Sequence, residues 1–225
     1  MLIAGPTAAA EWSSTEVELL HGSGFELGPE TRDIFTFMHA SGWKFGSNFL
    51  FFDVTQPFGD PTSIYGEWYP RFSLRKITGK KPGAGFLKDV SVALAINAGE
   101  NFRAYLGGVT MHLRVPGFLF FDVDLMAYDD RAETAITYIV TPAWSATFKL
   151  GKAAFRFRGF VDVIGPEGDR SMQVLAQPQL LFDLDRTWNT KAGLSIGIEY
   201  QFWKNKYGIE GVDESFPQLM VAWEF

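Results

Sequence analysis

The 225-residue chain contains no cysteine. That excludes a disulfide framework and any thiolate metal site. It also lacks the run of about 20 apolar residues that a membrane-spanning helix needs. Asp53, Asp89, Asp122, Asp124 and Arg156 interrupt every stretch that might qualify. Histidine is scarce, at His21, His39 and His112 only, and none sits in a recognisable Ser/His/Asp motif. A hydrolase, protease or acyltransferase needs a nucleophile with a base beside it, so an enzyme is not the expected class. There is no phosphate loop, metal-ligand spacing or dinucleotide fingerprint, and no cofactor is expected, with calcium or lipopolysaccharide at the loops left open. Charged residues are few, at 20% against about 25% in soluble proteins. The net charge of −6 argues against nucleic acid as a partner.

What the chain has in excess is aromatic residues, 16% of the total, with 22 Phe. The mean hydropathy is nevertheless zero. Alternation reconciles the two, because successive residues of a strand face opposite sides. Phe155, Phe157, Val161 and Val163 oppose Arg156, Arg158, Phe160 and Asp162. Val174, Ala176, Pro178, Leu180 and Phe182 oppose Gln173, Gln177, Gln179 and Asp183. Leu194, Ile196, Ile198, Tyr200 and Phe202 oppose Ser195, Gly197, Glu199 and Gln201. Such segments recur near 15–22, 31–40, 45–55, 64–77, 86–98, 102–114, 117–128, 133–148, 153–164, 171–184, 191–203 and 215–225. Pro142 is expected to weaken the segment that holds it.

A soluble sandwich or a lipocalin-like ligand-binding barrel also alternates. Three features favour a membrane barrel instead. The apolar faces are as long as the 9–11-residue strands that cross a bilayer at a tilt. Aromatic residues cluster near their ends, as interfacial girdles do. The opposite faces carry charges of both signs and amides. The expected fold is therefore all-β, a transmembrane antiparallel β-barrel of about twelve strands. An even count closes the wall with both termini on one side, with tight turns (150–152, 115–117) set against longer loops (56–63, 79–85, 165–169, 204–214). Residues 11–225 form the single expected domain. Residues 1–10, MLIAGPTAAA, read as the stump of a secretory signal or as an Ala-rich tail.

The last strand ends in an aromatic residue. Leu219, Val221, Trp223 and Phe225 share one face and Gln218, Met220, Ala222 and Glu224 the other. A closing strand of this kind resembles the recognition signal of outer-membrane barrel assembly. That implies a place in the bacterial outer membrane, with its lipid, lipopolysaccharide and assembly machinery as partners.

Residues 65–79, YGEWYPRFSLRKITG, carry a closer resemblance. Pro70, Arg71, Phe72 and Ser73, followed by Lys76, Ile77 and Thr78, resemble a segment of the Tsx-type nucleoside-specific channel family. Segments 25–37 and 51–59 and the carboxyl-terminal strand resemble that family more loosely. The resemblance implies a monomeric twelve-stranded barrel that passes nucleosides through a narrow, aromatic-lined pore, with phage or colicins as further partners. A general small-solute porin or a structural barrel is the alternative.

Alternation also names the lumen. Ser47, Phe49, Phe51 and Asp53 point inward if Leu50 and Phe52 face lipid. By the same count Glu67, Tyr69, Arg71, Ser73 and Arg75 are lumenal on one strand, and Phe118, Phe120, Asp122 and Asp124 on another. Arg156, Arg158, Glu16 and Glu18 complete the set. Aromatic faces suit any base, because every base has a π-face. The charges are also expected to pair across the wall, Arg71 with Glu67 and Arg156 with Asp122. A register error of one residue would reverse a whole strand.

Overall fold

The computed structural model describes residues 10–59, 61–80 and 85–225; apart from Ala10, the amino-terminal stretch read above as a signal stump or tail lies outside them. The alternating segments form β1 (Trp12–Ser23), β2 (Thr31–Trp43), β3 (Gly46–Thr55), β4 (Ser63–Ser73), β5 (Leu87–Gly99), β6 (Phe102–Leu113) and β7 (Phe118–Asp130). They continue as β8 (Thr137–Leu150), β9 (Ala153–Ile164), β10 (Gln173–Ala176), β11 (Gln179–Asp183), β12 (Leu194–Lys204) and β13 (Glu214–Glu224). Each strand pairs antiparallel with its neighbours, and β1 pairs with β13 to close the ring. Strands β10 and β11 both lie between β9 and β12. They are two halves of one stave, so the barrel has twelve staves.

The break between those halves has a local cause. Pro178 has no N–H to give the ladder. Opposite it, Gly159 has a φ of +152°, and a Cβ there would lie 2.6 Å from the Gln177 carbonyl oxygen. Only glycine allows that approach. Register is kept across the break: Ala176 faces Val161 and Gln179 faces Arg158. Pro142 acts more mildly. Strand β8 runs through it, but its ladder to β9 stops at Val140 and resumes at Ala143.

Burial is inverted relative to a soluble domain. Gln218 is fully buried while its chain neighbour Leu219 is 68% exposed. Glu16, Glu18, Asp124 and Glu199 are buried, and Leu94, Ile96, Ile198 and Trp223 are exposed. An exposed apolar surface of this extent needs a non-aqueous neighbour. A closed barrel meets that need without leaving a strand edge unpaired in lipid.

One end of the barrel holds Trp12 and Phe225, and is here called the terminal end. Its connections are 44–45, 74–86, 114–117, 151–152 and 184–193. Two of them are longer than tight turns. Each begins with a short helix, α1 (Leu74–Thr78) and α2 (Leu184–Trp188). Ser73 and Asp183 cap them, accepting from the N–H of Lys76 and Arg186, and Gly79 and Asn189 end them in left-handed conformation. The strand expected over 64–77 therefore stops at Ser73. The 79–85 stretch, grouped above with the longer loops, belongs to the terminal end together with the tight turns.

Candidate functional site

A cavity of about 790 Å³ lies inside the barrel, with Trp12 and the α1 residues Arg75 and Lys76 among its terminal-end lining. Its lining residues include Asp53, Glu67, Asp162 and Glu199. Beside them the inner wall is packed with Ala93, Ala95, Ala104, Leu106, Met126, Tyr128 and Ile139.

Most of the lumenal residues read from alternation do line this cavity: Phe49, Phe51, Asp53, Glu67, Tyr69, Arg71, Phe120, Asp122, Asp124, Arg156 and Arg158. Glu16 and Glu18 lie there as well. Two residues differ from the reading. Phe118 stands on the outer face. A bulge between Phe118 and Phe120 shifts the register, so that Phe118 faces Ala146 and Phe120 faces Ser145. Phe118 then packs edge-on against outward Phe121, with ring centroids 5.6 Å apart. Arg75 lies at the cavity rim but on helix α1, not on a strand, because the Ser73 cap turns the chain first. Neither difference shows in composition, since a bulge and a cap each break the period of two that the reading relied on.

The charges pair, though with other partners than expected. Arg71 Nη2 donates to Asp124 at 2.7 Å and its Nε to Thr110 at 3.0 Å, rather than to Glu67. Arg156 bonds Glu16 at 3.3 Å and Glu224 at 3.0 Å, not Asp122. Arg158 reaches Glu16 and Glu18, each at 2.5 Å. These bonds cross the lumen, from β4 to β7 and from β9 to β1, and which residues meet there is set by the closure of the ring.

Four of the lining carboxylates make no salt bridge among the described residues. Asp53 accepts from the Thr36 hydroxyl at 2.6 Å and Asp162 from Thr141 at 2.5 Å. Glu67 accepts from Tyr65 at 2.5 Å and Asn97 at 2.9 Å. Glu199 accepts from Gln177, Gln179 and Gln218 at 2.7–3.2 Å. Hydroxyls and amides satisfy these groups, and no cation bonds them among the described residues. The bases Arg75, Lys76, Lys88 and Arg186 all stand at the terminal-end rim.

The same row of groups occurs twice. Glu18, Thr36 and Asp53 stand directly opposite one another across β1, β2 and β3. Asp124 stands opposite Thr141 across β7 and β8, and Thr141 bonds Asp162 on β9. The local sequences match too. Glu16-Val17-Glu18-Leu19-Leu20 parallels Asp122-Val123-Asp124-Leu125-Met126. Residues 51–60 and 160–169 share Phe, Asp, Val, Pro, Gly and Asp at equivalent places.

Aromatic rings form a second strip. Phe49 and Phe51 lie 6.0 Å apart, Phe51 and Tyr65 6.2 Å, and Tyr65 and Phe102 6.1 Å.

At the loop end, Lys206 is buried against Glu214 and beneath the rings of Phe25, Trp203 and Tyr207. Burial holds its ammonium below the ordinary lysine range, while Glu214 pulls the other way.

No family model matches this chain, and no curated protein matches it. Solved structures do. A KdgM porin in complex with disordered oligogalacturonate has 12% identity and a TM-score of 0.54, covering 94% of this chain and 99% of its own. A further KdgM porin structure has 10% identity and a TM-score of 0.56 over 94% and 99%. A NanC porin has 9% identity and a TM-score of 0.51 over 94% and 98%. The chain has the fold of a porin. At these identities the likeness carries the barrel and its closure, and none of the three is described as a nucleoside channel.

Proposed function

We propose that this barrel sits in a bacterial outer membrane and is a channel for small polar solutes, with a preference for neutral and cationic ones. One observation carries the reading: Asp53, Glu67, Asp162 and Glu199 line the cavity and are held by neutral donors alone. Rings of acidic side chains favour cations over anions in pores. An anionic sugar of the kind named with the KdgM porin would meet these groups unshielded, so this lumen suits a different solute. The terminal end faces the periplasm in this reading, since even-stranded barrels keep both termini there. The exposed face ending at Phe225 would engage the assembly machinery.

Reversal potentials in a potassium chloride gradient across a planar bilayer test the proposal. A permeability ratio above one for potassium over chloride supports it. A ratio below one overturns it.

Nucleoside passage is the second reading, and the strip of Phe49, Phe51 and Tyr65 favours it. Faster liposome swelling with nucleosides than with sugars of similar size would support it, and equal rates would remove it.

A further inference from the structure

The sequence separates Ser91, His112 and Asp122; the register brings them together. They come from β5, β6 and β7, and all three line the cavity. His112 Nε2 lies 2.8 Å from Ser91 Oγ, and His112 Nδ1 lies 2.8 Å from Asp122 Oδ1. An ionised carboxylate only accepts. Nδ1 therefore carries the ring proton, and Nε2 accepts from the Ser91 hydroxyl. A hydroxyl, an imidazole and a carboxylate linked in this order make an activated serine nucleophile. We propose that Ser91 is the nucleophile of an ester-hydrolysing centre in the cavity wall, with His112 as base and Asp122 as its positioning acid. Its substrates would be short-chain carboxylic esters of small polar solutes.

Thr36 with Asp53 and Thr110 with Asp124 meet from directly opposed positions, while Ser73 meets Asp89 on the diagonal. His112 stands opposite both Asp89 and Asp122. It bonds Asp122 but passes Asp89, whose carboxylate takes the Ser73 hydroxyl. The ring instead reaches Ser91, two residues along β5 on the same face.

Two neighbours supply what such a centre needs. The bulge at 118–120 brings Leu119 and Phe120 to the cavity, 62% and 45% exposed, and Leu113 joins them. That is an apolar edge for an acyl chain, and bulges often re-aim side chains beside active sites. Arg71 stands opposite Ala93, two residues from Ser91 on the same face. Its Nε and Nη2 are held by Thr110 and Asp124, which leaves Nη1 for an oxyanion.

The reaction balances without a cofactor. Ser91 Oγ bonds to the ester carbonyl carbon while its proton passes to His112 Nε2. The C–O bond to the alcohol breaks, and His112 returns that proton to the departing alkoxide. Water, deprotonated by His112, then attacks the acyl-serine. The carboxylic acid leaves and Ser91 recovers its proton.

The test uses the full chain folded in detergent, with p-nitrophenyl acetate and butyrate as substrates and a fluorophosphonate as the label. Folding of each variant is checked by heat-dependent gel mobility. The expected result is one label per barrel, mapped to Ser91 by mass spectrometry and lost in Ser91→Ala. Asp122→Asn should cut turnover by about 10²- to 10⁴-fold. In His112→Gln the pH dependence should vanish along with the rate. Hydrolysis no faster than heat-unfolded protein, or labelling that survives in folded Ser91→Ala, would overturn the assignment. These readouts need no bilayer, so their failure is distinct from a failure of the channel reading.

Discussion

Arg158 Nη2 lies 2.5 Å from Glu18 Oε1, joining β9 to β1 across the lumen. The same nitrogen also bonds Glu16 at 2.5 Å, and Nε bonds Gln179 at 2.6 Å. Arg158→Ala leaves the carboxylate of Glu18, which is 2% exposed, without its cation. Breaking a buried pair from one side costs about 3–5 kcal/mol. The urea midpoint of refolding in lipid should fall accordingly. An unchanged midpoint would mean that water in the cavity already shields these acids.

Asp53 and Asp162 lie on β3 and β9, each held by one threonine hydroxyl. Asp53→Asn and Asp162→Asn should each lower potassium over chloride permeability, and the double variant should lower it further. Bilayer recordings of the three variants check this. A loss in one single variant alone would show that only one wall touches the ion path.

Phe118 and Phe120 are two residues apart but sit on opposite faces. Phe120→Ala should raise single-channel conductance by widening the terminal-end mouth. Phe118→Ala should leave conductance alone and reduce stability in lipid, since it removes an outer-face ring packed on Phe121. The reverse pattern would contradict the bulge.

Gly159 takes a φ of +152° beside Gln177. Gly159→Ala should destabilise the barrel by about 1–3 kcal/mol, through strain and the close approach. A thermal midpoint equal to wild type would show that the stave break relaxes freely.

Asp185 orders the 184–193 connection. Its carboxylate accepts from the Thr190 hydroxyl at 2.5 Å and from the N–H groups of Ala192 and Gly193 at 2.9 and 2.7 Å. These bonds, that of Thr190 foremost, hold it below the ordinary aspartate value of 3.8. A depressed carboxylate stabilises fully above its unfolded value, and the contribution fades as pH falls through the folded one. Amide exchange at Ala192 and Gly193 should therefore quicken only below about pH 4. In Asp185→Asn it should be fast at neutral pH. Protection that ignores pH would remove this role.

Much of the wall was legible because its period is two and Phe225 anchors the count. The inward set on β3, β4 and β9 follows from alternation alone, as does the outward face of β13. What escaped lies where that period fails or where register decides. The bulge moved Phe118, and the Ser73 cap took Arg75 off the strand. The bonds of Arg71 to Asp124, Arg158 to Glu18 and Ser91 to His112 depend on which residues stand opposite after closure. Segment hydropathy carries no such information.

The repeated row on β1–β3 and β7–β9 lies six staves apart in a ring of twelve. The lumen therefore has an approximate two-fold axis along the barrel. In the channel proposed above, a solute turned by half a revolution would meet the same acid, hydroxyl and acid on the other wall, so two of its orientations would be nearly equivalent. That halves the angular search a passing molecule must make, which lowers the orientational cost of entering. The arginines break the equivalence, since Arg158 on β9 and Arg71 on β4 are not half a turn apart. The shape of the passage is thus close to symmetric while its electric field is lopsided. A solute with a dipole should ride through turned one way, and one without should not.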